Sequence, residues 1–168
     1  YRLREEHGSI DERWETAMSL AVDAALARRD NEAERWCRVA IDLAARASEQ
    51  PDAKHAQAWN RLAVVSTSLG RHEKAVEAAR TARDCWRKHD ITALTAARAD
   101  VELAGALIKY AESVYNRDAA KVRQLLNEAL ECLARGADEL PPFGNEAAAD
   151  VRRCIEQTDF ARRLLASL

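Results

Sequence analysis

Four cysteines and four histidines are the side chains of this 168-residue chain best suited to metal or nucleophilic chemistry. A zinc site needs such ligands a few residues apart in a turn or one helical turn apart on a helix. His7, His55, His72 and His89 instead stand alone at non-ligand spacings. Cys37, Cys85, Cys132 and Cys154 form no Cys-x-x-Cys pair and fall on the apolar stripes of helical patterns. A thiol packed among aliphatic groups keeps its proton and is inert. These four therefore read as reduced packing residues in a cytoplasmic protein. Five glycines, three of them at turns or ends, build no phosphate loop. No Glu-x-x-His set marks a carboxylate metal centre. The chain is expected to be no enzyme, to bind no metal and to need no cofactor.

A scaffold without a catalytic set must be read from composition. Hydrophobic residues make up 48% of the chain but aromatics only 5%, so its core must be built from alanine and aliphatic side chains. That favours close-packed helices over sheets, which prefer β-branched and aromatic residues. Charged residues reach 32%, yet the formal net charge is -2. A nucleic-acid partner would require a strongly basic face, and an anionic membrane would require the same. Neither partner is expected. No apolar run approaches the roughly 18 residues of a membrane span. The opening stretch, Tyr1 to Glu6, is charged and lacks a signal peptide's hydrophobic region. It also lacks an initiator Met, as expected of a domain cut from a longer protein. Arginine outnumbers lysine 21 to 5, which points to a GC-rich, bacterial source.

Seven helices follow from the spacing of apolar residues. Ser9 and Glu12 form a capping box, followed by Trp14, Ala17, Met18, Ala21, Val22 and Ala25 at helical intervals. Asn31 with Glu34 predicts a second cap, ahead of Ala33, Trp36, Cys37, Ala40 and Ala44. Pro51 is placed to open the third helix, which carries Trp59, Leu62, Ala63 and Ser66 and ends at Leu69-Gly70. Ala75, Ala79 and Ala82 mark the fourth. Asp90 is placed to cap a long fifth helix running to about Tyr115. The sixth carries Val122, Leu126, Ala129 and Leu133, with Gly136 as its stop. Pro141 and Pro142 interrupt the chain within a linker, residues 139–144. Asn145 is placed to cap a final amphipathic helix with Val151, Cys154, Ile155, Ala161 and Leu165 on one side.

The central stretch, Trp59, Leu62, Ala63 and Ser66, then Gly70, then Ala75, Ala79 and Ala82, resembles the tetratricopeptide repeat (TPR) family. That unit is a two-helix hairpin of about 34 residues in which small residues sit at the helix crossing. Here Ala33 to Ala75 spans 42 residues and Ala75 to Val122 spans 47. Elongated TPR-like arrays of regulatory proteins, of the MalT type, share this longer period. The resemblance implies an all-α, right-handed antiparallel hairpin solenoid with three hairpins within residues 9–138 (9–48, 51–88 and 91–136). An N-terminal extension (1–8) precedes it, and a capping helix (145–168) covers its end. Trp59 would be a core residue. In this family the inner face is lined by the first helix of each hairpin. The resemblance therefore places a partner-binding groove at Gln57, Asn60, Arg61, Val64, Thr67 and Ser68. The family's chaperone-binding carboxylate clamp is not reproduced, because Met18 and Val22 stand where its Lys and Asn would be.

The function implied is a protein–protein interaction module, a scaffold or regulatory domain that grips a peptide or helix of a protein partner. The alternative is a ligand-sensing or oligomerisation domain of a larger bacterial regulator. A homodimer burying Trp86 would favour that second reading.

Overall fold

Seven α-helices and one 3-10 segment account for nearly all the described residues of the computed structural model, which are 8–48, 52–88 and 92–168. The helices are α1 (Ile10–Leu26), α2 (Asp30–Ala47), α3 (Ala53–Ser68), α4 (His72–Lys88), α5 (Ala93–Val114), α6 (Ala119–Glu139) and α7 (Ala148–Ala166). Pro141–Glu146 forms the 3-10 segment, and no strand occurs among the described residues. None of the helices is long and apolar enough to cross a membrane.

Side chains set several of the helix starts. The Ser9–Glu12 box forms as expected: the Glu12 N–H donates to Ser9 Oγ at 3.2 Å, and the Ser9 N–H donates to Glu12 Oε2 at 2.9 Å. Asp52 caps α3 by accepting from the N–H groups of Lys54 (2.9 Å) and His55 (3.1 Å). Asp118 caps α6 through the Lys121 N–H at 2.9 Å. Two expected caps fail. Asn31 is not a cap, because α2 starts two residues earlier than that cap implies, with Arg29 at its N-cap and no side-chain bond there. Asn145 lies within the 3-10 segment, and α7 starts after Ala147, again without a side-chain cap. Pro51 and Asp90 lie outside the described residues.

Gly136 does not stop α6, which continues to Glu139. A Cβ built there would lie 3.0 Å from Val101 Cγ2 and 3.8 Å from the Ala97 carbonyl oxygen. The glycine is therefore where α5 crosses close to α6. The expected non-helical linker is likewise short. α6 runs through residue 139 and the proline pair opens the 3-10 segment, with Leu140 fully buried.

The chain divides between residues 89 and 90 into two units. In the first, α1 to α4 pack each on the next, joined by three-residue turns between α1 and α2 and between α3 and α4. Turns that short force antiparallel neighbours. α1 also meets α3, where Lys54 pairs with Asp11 and sits 5.7 Å from the Trp14 ring centroid. The core is methyl-rich: Ala17, Ala40, Ala44 and Ala58 gather around Trp14 and Leu43. In the second unit α5 and α6 form the longest pairing, and α7 packs against both. Leu103, Leu107, Leu126, Leu133 and Leu140 fill this core. Arg98 (to Asp150, 2.7 Å) and Arg153 (to Glu102, 3.1 Å) pin α7 along α5, and Tyr115 closes the far end on the Ser167 carbonyl at 3.1 Å.

Candidate functional site

α3 presents two different faces. Its buried residues include Ala56, Ala58, Leu62, Ala63 and Val65. The six residues singled out for a groove share one side of the helix at intervals of three and four. Gln57, Val64 and Ser68 are exposed, while Asn60, Arg61 and Thr67 are half-buried. Val64, at 45% exposure, is the apolar element among them. Thr67 spends its hydroxyl on the carbonyl of Ala63 at 2.9 Å. Gln57, Asn60, Arg61 and Ser68 make no side-chain hydrogen bond with a described residue. The structure thus brings all six together on one partly exposed helical face, and all six come from that single helix.

The opposite side of α3 floors a cleft of about 600 Å³ between α2 and α4. Trp59, Leu62 and Ser66 form the floor. Trp59 was expected in the core, but it is half-buried and exposes part of its ring to this cleft. One wall carries Arg38, Ile41 and Asp42 from α2, the other Lys74, Glu77 and Thr81 from α4. Glu34 sits at the inner end with its side chain 7% exposed. Arg38 donates to Glu34 Oε1 at 2.7 Å, and Arg71 donates to Oε2 and reaches Asn31 Oδ1 at 3.4 Å. A carboxylate so buried is tolerable only with such partners. Glu34 therefore clasps the first hairpin to the turn that opens α4. Asp42 and Glu77 make no ion pair with a described residue and remain available to a ligand.

The cysteines behave as packing residues. Burial pushes the Cys37 thiol up to about 11, only partly opposed by the positive charge of Arg61. Burial likewise raises Cys85 and Cys154. Among the described residues no cluster of His, Cys, Asp and Glu could hold a metal ion. His55 is used locally: its backbone N–H and ring engage Asp52.

The cleft was not anticipated from the sequence. Its signal lies in two polar ladders at helical spacing, Glu34, Arg38 and Asp42 on α2 and Lys74, Glu77 and Thr81 on α4. Each ladder alone reads as ordinary solvated surface. Only their convergence across Trp59 makes a site.

No family model matches the chain, and no curated protein does. Among solved structures it is similar to the crystal structure of BtubC (BKLC) from P. vanneervenii, with a TM-score of 0.53 and 16% identity. That likeness covers 95% of this chain and 65% of the other, so the chain spans just under two thirds of BtubC. At that identity the likeness speaks for the helical fold alone.

Proposed function

We propose that this chain is a protein–protein interaction module, a right-handed TPR-like solenoid of the cytoplasm that holds a peptide or helix of a protein partner against α3. The observation that carries this reading is the partly exposed α3 face, where Gln57, Asn60, Arg61 and Ser68 offer uncommitted donors beside the exposed Val64. Such donors suit the backbone carbonyls and carboxylates of an extended segment. Support for the repeat comes from two turns of the same construction, at Arg28 and Gly70, which lie 42 residues apart as Ala33 and Ala75 do.

The test is capture of a partner from lysate followed by titration. Replacing Asn60 and Arg61 together with Ala is expected to weaken binding roughly tenfold or more. Helicity by circular dichroism and the melting temperature should stay as in the wild type. Unchanged affinity would move the site off this face.

A second reading, a ligand-sensing domain of a larger bacterial regulator, is favoured by the α2–α4 cleft. Its volume lies within the roughly 300–1,000 Å³ usual for small-molecule sites. Ligand-induced fluorescence changes that vanish in Trp59→Phe would support it. The dimer arrangement gains nothing from Trp86, which is only 8% exposed within the chain.

A further inference from the structure

Most arginines that brace this protein sit on a carboxylate: Arg38 and Arg71 on Glu34, Arg98 on Asp150, Arg135 on Asp100 and Arg153 on Glu102. Three that share a pocket on the first hairpin do not. Arg13 of α1 and Arg35 and Arg46 of α2 line one pocket of about 750 Å³. None of their side chains makes a hydrogen bond or ion pair with a described residue. Arg13 is half-buried, and its Nε is shut away from solvent without an acceptor. Arg35 lies with its guanidinium carbon 5.3 Å from the centroid of the half-buried Trp36 ring. Val39 and Leu43 complete the apolar wall, and Asp42 is the pocket's one carboxylate. Three positive charges against one negative stand out in a chain whose formal net charge is -2.

We propose that this pocket docks an acidic segment of a protein partner, with carboxylates on Arg13, Arg35 and Arg46 and an apolar side chain against Trp36 and Leu43. This rests on the reading of the chain as a protein-binding module, and it adds a second contact surface distinct from α3. The chemistry follows from the groups present. Guanidinium forks match carboxylates in geometry and bind them through charge-assisted hydrogen bonds. Arg13 has already shed part of its hydration in the folded protein, so an incoming oxygen displaces little water from it. A peptide fits better than a nucleic acid because the basic area is confined to one concave pocket. Asp11, Glu15 and Asp42 on the same two helices would oppose an extended phosphate backbone.

The test uses the full chain and fluorescein-labelled hexaglutamate, read by anisotropy at moderate ionic strength, with a labelled oligothymidylate of matched charge in parallel. Hexaglutamate is expected to bind saturably and to weaken as salt is raised. Arg35→Gln with Arg46→Gln, both exposed and tolerant of change, should lower its affinity at least about tenfold, as the loss of charge-assisted bonds requires. Adding Arg13→Gln should abolish binding. Arg152→Gln with Arg163→Gln removes the same charge from α7 and should change the affinity less than about twofold. Asn60→Ala with Arg61→Ala should also leave hexaglutamate binding intact, so failure of the α3 reading and failure of this one register separately. Absence of binding, an equal loss in the α7 control, or tighter binding of the oligonucleotide would overturn the proposal.

Discussion

Arg28 holds a φ of 58°, a conformation that crowds the Cβ of an L-residue and costs roughly 1–2 kcal/mol. It sits just past α1, where the Arg29 N–H reaches back to the Ala24 carbonyl at 2.8 Å. Gly70 does the same after α3 with a φ of 68°, and the Arg71 N–H reaches the Ser66 carbonyl at 2.9 Å. The two turns share one C-terminal capping geometry, built once with the residue that suits it and once without. Arg28 is exposed and its side chain makes no bond to a described residue, while the bond from its N–H to the Ala25 carbonyl survives substitution by glycine. Arg28→Gly is therefore expected to stabilise the protein by about 0.5–1 kcal/mol, the relief of strain less the added freedom of the unfolded glycine. Urea denaturation checks this, and a destabilised variant would mean that Arg28 supports the turn in another way. Asp52 shows a different balance at the same scale. Burial works against its ionisation, but the N–H groups of His55 and Lys54 and the His55 ring outweigh it and hold its carboxyl below the ordinary 3.8. The α3 cap thus contributes fully above that value and is lost as pH falls through the lowered one.

Between elements, the second unit is tied by a pair that neither helix specifies alone. Asp100 of α5 is completely buried, and Arg135 of α6 donates to its Oδ1 at 3.2 Å and to Cys132 Sγ at 3.2 Å. Arg135→Ala would take the guanidinium from a buried carboxylate, a loss of about 1.5–3 kcal/mol, the range for hydrogen bonds to a charged group. Arg135→Lys should recover part of it. A loss under about 0.5 kcal/mol, typical of surface changes, would show that the pair carries little. The same scale explains what was legible in the sequence. Helices were readable because alanine and leucine recur every three or four residues, and the Ser9–Glu12 box because both partners lie within one turn. Asn31 and Gly136 were misread for a shared reason: a distant contact overrode the local rule. Glu34 answers to Arg71 rather than to Asn31, and Gly136 answers to Val101. The α3 face was legible as periodicity, whereas the cleft needed two helices from different hairpins to meet over Trp59.

Over the whole molecule, the larger completely buried side chains belong mostly to the second unit, and the first supplies little beyond Val65 and Cys37. Alanine methyls let its helices sit close and leave thiols sealed between them. All four cysteines are buried. Ellman's reagent at pH 8 is expected to label none of them in the native protein within minutes, and all four in denaturant. Prompt labelling of any one would contradict their role as packing. Alkali gives a second reading of the same seal. With its folded value at about 11 against an ordinary 9.0, Cys37 favours the protonated folded state. Its contribution is complete below pH 9 and is lost as pH rises from 9 towards 11. Melting temperatures across that range should fall in the wild type and fall less in Cys37→Ala.

The clasp on Glu34 also has a direction in time. Arg71 follows it by 37 residues, so at ribosomal rates of about 5–20 residues per second the latch arrives roughly 2–7 s after the carboxylate it closes on. Until then the newborn first hairpin holds Glu34 with Arg38 alone. Each pause in synthesis over that interval lengthens the exposure of the face that α3 and α4 will cover.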